Sequence, residues 1–215
     1  MLFVDRYDAG RRLAAKLEPF RNDRPIILAL PRGGVPVGYA IAQALGAPLE
    51  VLTARKLGAP GAPELAIGAI ASGTTLLNSE LIARLGVSQD YLSRVLEQEA
   101  ATMARQEAQF RGTRPFPDVA GRTVIVVDDG LATGATAQAA LESVRRRNPG
   151  RIVFAAPVCA PASEFSLQGR ADVVVCLEAP PDFRAVGEWY EDFSPTSDAE
   201  VMQCLGASQG ASTTS

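Results

Sequence analysis

The chain contains no histidine. That absence removes Ser-His-Asp and Cys-His catalysis, imidazole-ligated zinc or iron, and any histidine general base, so chemistry here must run on carboxylates, cationic side chains, hydroxyls, backbone dipoles and a hard cation such as Mg²⁺. Cysteine is nearly as scarce. Cys159, Cys176 and Cys204 are too few and too scattered for a disulfide framework or a zinc knuckle, and two of them lie in apolar runs, which predicts structural thiols in a reducing cytoplasm. No apolar run reaches the length of a membrane-spanning helix, and residues 1–10 carry Asp5, Arg6 and Asp8 where a signal peptide would have its apolar core. An excess of positive charge is also missing. With 21 Lys and Arg against 24 Asp and Glu, a net charge of −3 and a pI near 5.1, a general nucleic-acid binder is not expected. The reading is therefore a cytoplasmic protein without nucleic acid or membrane as a partner.

What is present is an α/β pattern. At 215 residues and 47% hydrophobic, the chain can build one domain with a full core. Residues 123–136 read TVIVVDDGLATGAT. The apolar, mostly β-branched run is that of a strand buried on both faces, as in a parallel sheet, and a helix pattern follows from about Ala135 to Arg147. At the carboxyl end of such a strand, loop amides and the positive end of the helix converge, so a phosphate can be held without a lysine. Thr133 and Thr136 add hydroxyl donors, while Gly130 and Gly134 let the backbone come close. Asp128 and Asp129 can accept hydrogen bonds from vicinal hydroxyls and hold a hydroxyl-bound Mg²⁺. A phosphate at one end and a diol at the other describe a ribose 5-phosphate.

Other segments fit the same scheme. A strand over residues 26–30 runs into Pro31-Arg32-Gly33-Gly34 and then a helix to about Leu45; Arg32 is the only charge there and suits forked binding of phosphate oxygens. A strand over 49–54 ends in Arg55 and Lys56, a basic wall for a polyanion or else a solvated strand end. Residues 58–64 are too rich in Gly and Pro for regular structure, and Glu64 is the one acid among them. Residues 66–71 and 74–77 form a hairpin pattern; Ser88 or Asp90 caps a helix to Phe110 that covers the sheet or contributes to a dimer interface. An amphipathic helix over 7–20 and strands over 152–158 and 173–177 complete a doubly wound, mainly parallel sheet whose carboxyl edge should carry the ligand. Residues 180–193 gather aromatics and acids that would suit a hood over a flat heterocycle, or packing at a subunit contact. Residues 206–215 are small and polar and are expected to fray.

The string TVIVVDDGLATGAT resembles the phosphoribosyl-pyrophosphate (PRPP) motif of the type I phosphoribosyltransferases. The resemblance implies that fold over residues 1–205, with a C-terminal hood near 178–205, a flexible tail over 206–215, and a mobile water-excluding lid at residues 58–64. It assigns Ala132, Thr133, Gly134, Ala135 and Thr136 to the 5′-phosphate, and Asp128 and Asp129 to the ribose and to Mg²⁺. Arg32, Gly33 and Gly34, with a non-proline cis peptide at Pro31–Arg32, would hold pyrophosphate. Arg55 and Lys56, similar to the pair of the adenine and orotate transferases, would join them. Glu64 becomes a base-contacting or proton-transferring candidate, Phe183 a stacker, and Trp189, Glu191 and Asp192 base partners. The implied activity is transfer of ribose 5-phosphate from Mg·PRPP to a nitrogenous, purine-like base by a homodimer; the alternative is a non-catalytic PRPP- or nucleotide-sensing regulator. Ala132 stands where the 6-oxopurine enzymes carry an aspartate, so the loop is of adenine type.

Overall fold

In the computed structural model, the backbone is described over residues 2–212 and side chains over residues 2–208. Asp5 starts α1 (Arg6–Leu17) by accepting the Asp8 amide on its side chain at 2.7 Å, and a 3₁₀ turn over Glu18–Asp23 leads to β1 (Ile26–Ala29). Then come α2 (Gly34–Leu45), β2 (Leu49–Val51), β3 (Ala54–Ala59), β4 (Ala62–Ala71), β5 (Thr74–Leu77), α3 (Ser79–Leu85) and α4 (Gln89–Arg111). The second half comprises β6 (Thr123–Val127), α5 (Ala135–Arg145), β7 (Arg151–Val158), α6 (Pro161–Ser166), β8 (Val173–Glu178), a 3₁₀ turn over Val186–Trp189 and α7 (Asp198–Ser212).

Five strands form one parallel sheet in the order β2-β1-β6-β7-β8, and β6 sits at its centre. All five residues of β6 are buried because both faces of the sheet are covered. Ile125 and Val127 point into a core built with Leu13, Leu17, Ile41 and Val201, whereas Val124 and Val126 pack with Leu141, Val144 and Phe154 on the opposite side. This is the expected doubly wound α/β fold.

The expected strand over 49–54 divides. It leaves the main sheet after Val51, and Ala54 begins a separate antiparallel sheet, β3-β4-β5. Arg55 and Lys56 therefore lie inside a flap strand, not at the edge of the main sheet. The segment expected to be irregular, 58–64, is the tip of the β3–β4 hairpin. Pairing slips at Gly58, where a Cβ would come within 2.8 Å of the Pro63 backbone, and Gly61 takes φ +71 at the turn. The glycines and prolines thus serve a bulged hairpin. α4 covers the flap through Tyr91, Val95 and Leu96 and ends in the main core with Phe110; Ser88 caps it by accepting the Tyr91 amide at 3.2 Å.

Two further expectations are corrected. α7 continues to Ser212, and Val201, Cys204, Leu205 and Ser208 are buried, so the small polar stretch begins inside a helix; residues 213–215 lie outside the described residues. Cys159 and Cys176 are joined as a disulfide with Cα atoms 6.1 Å apart, and only Cys204 is a buried free thiol. Parallel pairing of β7 with β8 makes neighbours of cysteines 17 residues apart, which spacing alone does not reveal. Among the described residues, no helix is long and apolar enough to cross a membrane.

Candidate active site

Two loops meet at the end of β6. The Leu30 amide donates to the Val127 carbonyl at 2.8 Å, holding the end of β1 against β6 before the chain turns through the cis Pro31–Arg32 peptide that was expected there. A Cβ on Gly34 would come within 2.7 Å of the Val127 carbonyl oxygen, and one on Gly33 would overlap the Asp129 carboxylate. The Arg32-Gly33-Gly34 loop therefore rests directly on the acid pair, and only glycine leaves the space.

On the other side, Gly130 is covered by Val186, while the Leu131 amide donates to Val158 at 2.8 Å and its carbonyl accepts from Ala160 at 2.7 Å. Ser163 Oγ donates to the Ala132 carbonyl, so α6 fixes the back of the loop. Gly134, at φ +77, precedes α5 and has no side chain to cap it. The first-turn amides at Ala135 and Thr136 have no intrahelical acceptor and are directed at a site suited to an anion, next to exposed Ala132 and Thr133.

Asp128 is the electrostatic centre. Burial first, and then the charge of neighbouring Asp129, push its carboxyl well above the ordinary range. Its Oδ1 accepts the Asp129 amide at 2.9 Å. Asp129 is held by residues that the sequence reading did not single out. Arg6 Nε donates to Asp129 Oδ2 at 2.8 Å, and Tyr190 Oη donates to the Asp129 carbonyl at 2.6 Å. Arg6 and Asp129 are separated by 123 residues, and no motif links them.

Each expected pyrophosphate cation has a carboxylate partner: Arg32 with Asp198 at 2.6 Å, Arg55 with Glu99 at 2.7 Å, and Lys56 with Glu64 at 2.6 Å. Pro31, Arg55, Lys56, Glu64, Glu99 and Thr136 line one cleft of about 450 Å³, so the flap cations and the phosphate loop do share a site. The hydrogen bond from Lys56 holds the exposed Glu64 carboxyl below its usual range. Among the described residues, no group of three or more acidic or cysteine side chains converges on a metal position. Asp128 and Asp129 can still fit Mg²⁺ held in the way this ion prefers, with most of its ligands from phosphate oxygens, hydroxyls and water.

The hood is assembled differently from expectation. Phe3 pairs with its backbone, donating to the Trp189 carbonyl and accepting from the Glu191 amide, both at 2.8 Å. Trp189 lines a separate cavity of about 390 Å³ with Leu2, Asp182, Arg184 and Glu188. Glu191 and Asp192 are exposed, and Asp192 accepts the Ser194 amide at 2.9 Å. Phe183 is half-buried in the connection after β8, its amide donating to Pro180. Val186 covers Gly130 and Tyr190 holds the Asp129 carbonyl, so these two hood residues make contacts at the strand tip.

A profile of the phosphoribosyl transferase domain matches residues 4–193. The chain belongs to this family. TT1426 from Thermus thermophilus is similar at 41% identity and a TM-score of 0.80, over 95% of this phosphoribosyl transferase domain and 98% of that chain. "Putative phosphoribosyl transferase Rv0571c" of Mycobacterium tuberculosis is 42% identical over 95% of the chain but only 46% of its own length, so the domain spans about half of that relative. AQ2163 from Aquifex aeolicus, at 13% identity and a TM-score of 0.53 over 94% of this chain and 85% of its own, shares the fold.

Proposed function

We propose that the protein transfers ribose 5-phosphate from Mg·PRPP to a nitrogenous base of purine-like size and releases pyrophosphate. The observation that carries this reading is the contact of Gly33 with the Asp129 carboxylate. It supports a donor site in which the pyrophosphate loop, the diol-accepting acids and the phosphate-accepting start of α5 surround one sugar.

Loss of pyrophosphate from C1 leaves an oxocarbenium-like ribose, so the task is to hold charges in place. Thr133, Thr136 and the amides at Ala135 and Thr136 anchor the 5′-phosphate, making remote binding energy available for orientation. The Asp128–Asp129 pair accepts from the ribose hydroxyls and sets negative charge beneath the developing cation. Arg32, Arg55 and Lys56 exchange their carboxylate partners for pyrophosphate oxygens, and the hairpin tip that carries Glu64 shields the reaction from water. Asp128 and Asp129 would hold Mg²⁺, which would neutralise part of the leaving group's charge. A homodimer is part of this reading, checked by sedimentation.

The test is conversion of PRPP to pyrophosphate across a panel of nucleobases, with Asp128→Asn as control. Product from at least one base, lost in the control, is expected; no product from any base would remove the enzyme. One observation favours the sensor instead: Tyr190 and Phe193 are occupied by Arg6, and Trp189 faces a separate cavity. Saturable PRPP binding without product would select that reading.

A further inference from the structure

We propose that Arg6 is a positioning residue of the donor site, which fixes the second acid of the strand tip and makes donor binding depend on the N-terminal helix and the hood. The inference rests on the PRPP reading above.

The geometry is that of a fork with both arms in use. Arg6 is the first residue of α1, and the α1 start is fixed by the Asp5 cap. Its Nε donates to Asp129 Oδ2 at 2.8 Å, and its Nη1 donates to the Ser194 carbonyl in the hood, also at 2.8 Å. The guanidinium lies 4.0 Å from the centroid of the Phe193 ring and 5.9 Å from that of Tyr190. The Arg6 and Asp129 side chains are only 10% and 16% exposed, so the pair is shielded from the solvent that weakens surface ion pairs.

Asp129 is confined by three neighbours. Gly33 of the pyrophosphate loop abuts its carboxylate, Tyr190 holds its carbonyl, and Arg6 takes one carboxylate oxygen. With Oδ2 committed, Oδ1 is the carboxylate oxygen left for a ribose hydroxyl, and its direction is set before the donor arrives. A residue held in this way loses little freedom on binding, which is the benefit of preorganisation. Because the same guanidinium grips Ser194 and stacks on Phe193, displacement of the hood moves the acid. The hood aromatics nearest the tip are thus organised around a cation of the chain itself.

Lysine can supply the charge but not the planar fork, so Arg6→Lys is the informative conservative change. The experiment measures PRPP binding by calorimetry with Mg²⁺ for wild type, Arg6→Gln, Arg6→Lys, Asp129→Asn and the Arg6→Gln/Asp129→Asn double variant, with thermal melting of each. Val201→Ala, an apolar truncation in the core that removes no polar contact of the strand tip, serves as the stability control. The expected result is a loss of at least tenfold in affinity for Arg6→Gln, an intermediate loss for Arg6→Lys, and less than a twofold further loss when Arg6→Gln is added to Asp129→Asn. Val201→Ala should melt lower with unchanged PRPP affinity. The inference is overturned if Arg6→Gln binds as wild type does, if its loss is the same in both backgrounds, or if Val201→Ala loses affinity in step with its melting temperature. Should Arg6→Gln fail to fold, Arg6→Lys alone and in the Asp129→Asn background carries the same comparison. Wild-type protein that registers no PRPP binding overturns the donor reading, and this inference with it; wild-type binding beside an unaffected Arg6→Gln overturns this inference alone.

Discussion

Lys56 and Glu64 face each other across the flap hairpin at 2.6 Å, so a cation expected to meet pyrophosphate is already matched with a carboxylate of the same hairpin. A polyanion must compete with Glu64 for it. Glu64→Gln should therefore raise pyrophosphate affinity about 2- to 5-fold, the scale of an exposed ion pair, whereas Lys56→Met should lower it. Titration calorimetry with Mg²⁺ and pyrophosphate reads both, and a Glu64→Gln variant that binds more weakly would reverse the assignment.

Gly33 has no room for a side chain. Gly33→Ala should drive a methyl group into the Asp129 carboxylate, with an overpacking penalty of about 1–3 kcal/mol and a parallel loss of PRPP affinity. Denaturant midpoints and calorimetry measure the two effects, and unchanged values for both would mean that the loop is not tight against the acid.

Asp128 is raised by burial and by like charge, so its ionised form weakens the fold while serving the site. Asp128→Asn should leave the melting temperature equal or higher while turnover falls about 100-fold or more, the scale of one lost preorganised contact. A large drop in stability would show that the carboxylate is structural.

Away from the cleft, burial favours the neutral form of Asp172, but hydrogen bonds from Arg145 and the Ile152 amide outweigh it and bring its carboxyl below the ordinary range. A folded-state pKa below the unfolded one stabilises the protein above the unfolded value, near about 4, and that contribution fades as pH falls through the folded value. The difference in urea midpoint between wild type and Asp172→Asn should thus be largest near neutrality and shrink towards pH 3. A difference that grows on acidification would contradict the sign.

The legible parts of this molecule are those encoded by neighbouring residues. TVIVV at 123–127 is apolar at every position because helices cover both sides of the sheet, and the acids and small residues after it mark the strand tip directly. The β4–β5 half of the flap was legible as the hairpin pattern over 66–77, but the β3–β4 half was hidden because glycine and proline at 58–63 read as irregular, although Gly58 is small in order to let two strands approach at a bulge. Arg6, Tyr190 and the Cys159–Cys176 pair depend on approaches between segments distant in sequence, and no local period records them. The hood aromatics were visible as a cluster, but not the direction in which they face.

The flap cations are moored to α4. Arg55 binds Glu99, and Tyr91 Oη donates to the Gly58 carbonyl at 3.0 Å, both from that 23-residue helix. A ligand that pulls Arg55 inward must either break these moorings or drag a lever whose far end, at Phe110, is embedded in the main core. Cleft closure would then be felt where α4 enters the core, and a reporter placed at that end of the helix would register occupancy without touching the ligand.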